Sequence, residues 1–225
     1  MSPGASSHCL KFEFLRQSQH HTVFLSPSNV TGGHPSGGLD CVFKRSIHIS
    51  SLVLLYSDEF LLAMRVGSIV FVNSYLPYKT YSTRSLTKFA KACDLLKNLV
   101  NQVLSNSLQY IIIGDLNTDI NRSCVRSDLL FERLPSYRAL AKSHKFSYVH
   151  HSGSTSDTDH IICWPGIIFS SASLHAKKQD TDHIPISVTF TMDTDLSKTN
   201  YSQENRSGLK KATGVKQMYR ATSLL

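Results

Sequence analysis

The sequence predicts a mixed α/β domain built in layers. Several apolar runs of strand length alternate with two longer stretches of helical period. No internal repeat and no heptad pattern competes with that reading. At 225 residues the chain is one large domain or two small ones, long enough to bury a core. Its 41% hydrophobic and 18% charged residues exclude a disordered chain.

Residues 1–38 are rich in Ser, His, Gly and Pro and predict little regular structure beyond short apolar pieces at 10–15 and 23–25. Thr31-Gly-Gly-His-Pro-Ser-Gly-Gly38 reads as a loop by composition. Strands are predicted at 39–43, 47–56 and 60–66. A stronger one at 69–75 ends at Leu76-Pro77. Over 85–104, Phe89, Ala92, Cys93, Leu96, Leu99, Val100, Val103 and Leu104 recur every three or four residues, which predicts an amphipathic helix. Residues 108–113, apolar but for Gln109, predict a strand buried on both faces, stopping at Gly114. A second helix is predicted over 128–143, broken before Pro135, then strands at 160–164, 167–174 and 184–191. After Met192 the chain is polar and predicts a disordered tail.

The domain is therefore set at 1–191, with 1–36 poorly matched, and a basic tail at 192–225. The tail holds six basic residues and three acids, a net +3, leaving +5 of the total +8 for the rest. A basic surface favours polyanions such as nucleic acid, although a merely solvated basic protein has the same charge. No apolar run reaches the length of a bilayer span, and no basic start followed by an apolar block suggests a signal peptide. Five scattered cysteines form no C-x-x-C pair and suit a reducing compartment, so the chain is expected to be intracellular, nuclear or cytoplasmic, and not secreted.

Three polar clusters sit at the ends of apolar strands. Gly114-Asp115-Leu116-Asn117 places a carboxylate and an amide two residues apart, on one face of an extended chain. Taken alone it is equally an ordinary strand-end turn. Ser156-Asp157-Thr158-Asp159-His160 brings Asp159 to the rim of the next strand, with Asp157 and His160 turned to solvent or neighbours. Thr181-Asp182-His183-Ile184-Pro185 sets an acid and a histidine before another strand, and histidine is the side chain suited to proton transfer near neutral pH. Hard oxygen donors without cysteine favour Mg2+ or Mn2+ over zinc. A divalent ion, a water-activating carboxylate and a phosphate-facing histidine would make a phosphodiester-hydrolysing site.

In this order the segments resemble the endonuclease/exonuclease/phosphatase superfamily, which includes abasic-site endonucleases, DNase I-like nucleases and the endonuclease domains of non-LTR retrotransposons. The resemblance rests on Asn73-Ser-Tyr75-Leu-Pro77, a long helix, Gly114-Asp-Leu-Asn117, Ser156-Asp-Thr-Asp-His-Ile161 and Thr181-Asp-His-Ile-Pro-Ile186. It spans residues 37–190, and the Pro-Ser-Gly-Gly38 loop before a strand looks like the retrotransposon branch. It implies a four-layer α/β sandwich, two packed mixed sheets flanked by helices. It further implies that Asp115 orients or deprotonates the attacking water, and that Asn117 and Tyr75 hold the phosphate. His183 would stabilise the developing charge, Asp159 would fix the tautomer of His183, and Asp182 would lie at the metal. DNA is the implied partner, with no membrane involved and a monomer favoured. The family's opening Asn strand and its Gln-Glu strand are not evident, so the sandwich is expected to lack its first strand. The nearest candidate for the metal-binding Glu is Glu13, which no Gln precedes and which reads equally as a surface acid. A non-catalytic remnant that binds nucleic acid, and a phosphatase or sphingomyelinase-like member of the same superfamily, are the competing readings.

Overall fold

The computed structural model describes residues 21–25, 29–31, 34–36, 38–44, 47, 51–78, 83–134, 138–139, 146–175, 182–191 and 218–222. In chain order the strands are β1 (His21–Leu25), β2 (Asn29–Thr31), β3 (His34–Ser36), β4 (Asp40–Lys44), β5 (Leu52–Ser57), β6 (Leu61–Val66) and β7 (Ile69–Tyr75). Helix α1 (Thr83–Ser105) leads to β8 (Gln109–Asp115), helix α2 (Val125–Phe131) and β9 (Arg138–Ala139). Then come β10 (Tyr148–Val149), β11 (Thr155–Ser156), β12 (Asp159–Cys163), β13 (Ile168–Leu174), β14 (Ile186–Thr191) and β15 (Met218–Thr222).

The main sheet has the order β5-β6-β7-β8-β12-β9. Only β7 and β8 run parallel, and α1 supplies the crossover that a parallel pair requires. The predicted stripe of α1 is the stripe that packs. Phe89, Ala92, Cys93, Leu96, Leu99, Val100 and Val103 are buried against Val70, Val72, Tyr110 and Ile112 of the sheet. Fully burying a side chain the size of Phe89 or Leu96 stabilises by about 1.5–3 kcal/mol. The sheet's other face carries Ile69, Ile111, Ile161 and Cys163, which pack on Ile186, Val188 and Phe190 of a second sheet, β13-β14-β15. Both faces of β8 are thus covered, which is why its middle, Tyr110 to Ile113, is an unbroken apolar run.

Three of the four expected layers lie among the described residues: helices, main sheet and second sheet. Both described helices lie on the first side.

Several boundaries differ from expectation. The second helix begins at Val125 rather than at 128, and it ends at Phe131, ahead of the break expected before Pro135. Cys124 caps it in a reciprocal capping box with Ser127, which starts the helix early. Pro135 bars its continuation, and Arg138–Ala139 pair with Cys163 and Ile162 as an edge strand. The loop read over 31–38 includes β3, which pairs with β2, and the 23–25 piece lies in β1, paired with β4. Within the stretch read as a disordered tail, Met218–Thr222 pairs antiparallel with β14.

Candidate active site

Three strand ends meet at one edge of the main sheet. Tyr75 of β7 lies beside Asp115 of β8 in the parallel ladder, and Asp115 lies opposite Asp159 of β12 in the antiparallel one. Alternation along each strand puts all three on the face that carries Ile69, Ile111 and Ile161 further in. Gly114 makes this close approach possible. It sits at φ 146°, and a Cβ there would lie 2.0 Å from the Ser74 carbonyl oxygen. No other residue type fits that backbone without moving β7 away from β8.

His183 arrives from the segment before β14. The backbone of the β10–β11 hairpin grips that segment: Val149 N–H donates to the Asp182 carbonyl at 2.8 Å, and Ile184 N–H donates to the Ser147 carbonyl at 2.7 Å. Tyr148 forms a β-bridge with His183 and sets its ring edge-on to the imidazole, with centroids 5.0 Å apart. His183 Nδ1 then lies 2.8 Å from Asp159 Oδ2. Asp159 is itself anchored, because the buried Ser147 hydroxyl accepts from the Asp159 N–H at 2.9 Å and the Thr158 N–H at 3.2 Å.

On the opposite side, the Asn117 N–H donates to Asp115 Oδ1 at 2.8 Å, folding the loop back on the carboxylate. Asn117 adopts φ 48°, a left-handed conformation that asparagine tolerates better than most residues. Its side-chain amide donates to the Leu76 carbonyl at 2.8 Å. The loops after β7 and β8 are thus tied together through Asn117.

The electrostatics follow from crowding acids at a buried edge. Burial, then the charge of Asp159, pushes the Asp115 carboxyl up to about 6, against the Asn117 N–H, which holds it down. Burial pulls His183 down. The hydrogen bond and charge of Asp159, with Asp115 and Asp182 beyond, outweigh it and raise the imidazole above its ordinary value. Burial and the nearby Asp115 charge likewise raise Tyr75.

Of the residues singled out from sequence, Tyr75, Asp115, Asn117, Asp159 and His183 are brought together. Asp182 is exposed at the rim, where its charge adds to burial in raising the Tyr148 phenol. Glu13 lies outside the described residues. Among the described residues no group of three or more His, Cys, Asp or Glu is arranged to hold a metal ion. By donor type the site still fits a hard divalent cation, because two nearly buried carboxylates face each other in register without a thiolate.

His160 does not face the site. It is buried, with Nε2 3.0 Å from the carbonyls of both Thr118 and Asp157, and clamps the two loops. Sequence reasoning missed Ser147 and Tyr148, which have no local motif, and Arg126, whose partners are all distant in the chain except Asn117.

This architecture, a central sheet and a second sheet meeting at an acid-lined edge, is a DNase I-like fold. The solved structures that share it are endonuclease/exonuclease/phosphatase proteins. The catalytic domain of Xenopus laevis APE2 superposes with a TM-score of 0.56 at 14% identity, covering 77% of this chain and 76% of that one. An endonuclease/exonuclease/phosphatase family protein from Leptotrichia buccalis gives 0.54 at 14% identity, covering 76% and 71%. An AP endonuclease from Archaeoglobus fulgidus gives 0.52 at 14% identity, covering 75% and 78%. Neither the protein-family models nor the curated protein sequences gave a match. Among the described residues no helix is long and apolar enough to cross a membrane.

Proposed function

We propose that this chain is a metal-dependent phosphodiesterase, the endonuclease domain of a retroelement, acting on DNA as a monomer inside the cell. The observation that carries the reading is the Asp159–His183 pair set opposite Asp115 and Asn117 at one sheet edge.

Asp115, ionised above a pH of about 6, is suited to take the proton of an attacking water. With Nδ1 of His183 engaged by Asp159, the ring is oriented so that its Nε2 side is the one suited to meet a phosphate. The raised imidazole favours the charged form, whose Nε2–H donates to a phosphate oxygen as negative charge develops there. Asp159 holds that ring in place, as an acid does behind a catalytic histidine. Tyr75 and Asn117 supply a hydroxyl and an amide to position the phosphate. Mg2+ or Mn2+ would supply Lewis-acid stabilisation of the phosphate charge when bound beside the facing Asp115 and Asp159 carboxylates, with Asp182 and Glu13 as the ligands that the sequence resemblance offers. The basic charge of +8 suits a polyanionic substrate.

The incomplete set of metal ligands among the described residues favours one second reading, a non-catalytic domain that still binds nucleic acid. A plasmid-nicking assay separates the two. Purified protein is run with Mg2+, with EDTA, and as Asp115→Asn and His183→Ala. Metal-dependent nicking that both substitutions abolish supports the enzyme. A folded protein that binds DNA in a salt-dependent way but never nicks supports the second reading.

A further inference from the structure

Arg126 is 7% exposed, yet no described carboxylate lies within ion-pair distance of it. Burying an uncompensated guanidinium costs free energy unless its donors are well used. Here they reach into both loops that carry the proposed site. Nη1 donates to the carbonyls of Pro77 at 2.6 Å and Asn117 at 3.4 Å. Nη2 donates to the Tyr78 carbonyl at 3.2 Å and the Ser85 hydroxyl at 2.9 Å. The Phe89 ring of α1 lies beneath the guanidinium at 4.4 Å. Ser85 Oγ in turn donates to the Tyr78 carbonyl at 2.8 Å, closing the cluster.

We infer that Arg126 is a positioning residue: it fixes the loop after Tyr75 against the loop holding Asp115 and Asn117, and thereby sets the distance between their phosphate-contacting groups. This rests on the functional reading above for its effect on rate, but not for its effect on the loops. The planar fork is what the geometry uses. Two donors on one face of α2 span carbonyls from separate segments, and a lysine ammonium has no such span. Since Asn117 is already held in a left-handed backbone, its amide depends on external ties, and Arg126 is the tie from the helix side.

The test uses Arg126→Lys in the full chain. Hydrogen exchange is expected to speed up at least tenfold over residues 74–78 and 114–120, with 61–73 unchanged. Nicking is expected to lose tenfold or more in kcat, with KM within about twofold. A double variant with Asn117→Ala should lose less than the sum of the two single losses, because part of the effect of Arg126 runs through Asn117. Unchanged exchange in the two loops, or fully additive rate losses, overturns the inference. If the lysine variant does not fold, Ser85→Ala, which removes one acceptor of Nη2, is read by the same exchange measurement: faster exchange at 74–78 supports the inference and no change overturns it. If the wild-type chain nicks nothing, the functional reading fails, while the exchange result still decides the role of Arg126.

Discussion

The Asp115 carboxylate should cost the fold stability, and removing its charge should return it. Asp115 is 4% exposed and faces Asp159 across the ladder. Moving a carboxyl from 3.8 to about 6 corresponds to about 3 kcal/mol of disfavoured charge at neutral pH, at about 1.4 kcal/mol per pH unit. Asparagine is nearly isosteric, and its Oδ1 can still accept from the Asn117 N–H now bonded at 2.8 Å. Asp115→Asn should therefore be more stable than wild type at pH 7 by roughly 2–3 kcal/mol. The sign fixes the pH window. A raised carboxyl binds its proton more tightly in the folded state, so below about 4 both states are protonated and the gain vanishes. Between about 4 and 6 the gain grows, and above 6 it is constant.

Urea unfolding in EDTA at pH 4, 5, 6 and 7 reads this directly. For an unfolding slope of about 2 kcal/mol per molar, the midpoint should rise by about 1–1.5 M at pH 7 and by nothing near pH 4. A variant less stable than wild type at pH 7, or a gain that does not depend on pH, would refute the reasoning, because Asp115 would then not be a strained charge. Repeating the pH 7 measurement with Mg2+ in place of EDTA should stabilise wild type more than the variant, since a bound cation relieves the charge that asparagine lacks.

Other consequences are as concrete. Asp159→Asn should lower the His183 pKa, because burial remains while the hydrogen-bonded carboxylate is gone; imidazole proton shifts followed by NMR titration measure it. In wild type the raised His183 adds stability in full below about 6.5 and loses it as pH rises through the folded-state value, so this pH dependence should be weaker in the variant. Gly114→Ala should cost at least 2–3 kcal/mol by thermal denaturation, since the new Cβ meets the Ser74 carbonyl oxygen and φ is already positive. Ser147→Ala should cost about 1–3 kcal/mol by leaving the buried Asp159 and Thr158 amides without their acceptor, and a neutral result would mean that water replaces the hydroxyl.

The fold was legible where one segment's periodicity decided the outcome. The buried face of α1 could be read from Phe89 to Val103, because a helix on a sheet must present one apolar stripe. β8 was legible as a strand covered on both faces, because nothing polar interrupts 110–113. The start of the second helix was misplaced because the Cys124–Ser127 cap, not the apolar spacing, sets it, whereas its stop before Pro135 was legible. The site residues were legible as motifs, but the reason they converge was not. That reason is register: Tyr75, Asp115 and Asp159 share one rung, although they are separated by up to 84 residues. The partners with no motif of their own, Ser147 and Arg126, act through backbone amides and carbonyls whose positions exist only after folding.

One rung therefore carries opposed demands. The ladder requires Gly114 beside Ser74 and sets two carboxylates face to face, which raises Asp115 and favours an imidazolium at His183. A stable sheet edge would put an apolar or amide pair there. The protein instead surrounds the strained pair with a second set of ties: Ser147 under Asp159, the Tyr148 bridge to His183, His160 between the loops, and Arg126 behind Asn117. If those ties exist to hold the charge in place, a variant of Arg126 should lose more activity than stability, while Asp115→Asn should lose activity and gain stability. A pair of variants that moved both quantities in the same direction would show instead that the edge is built for folding.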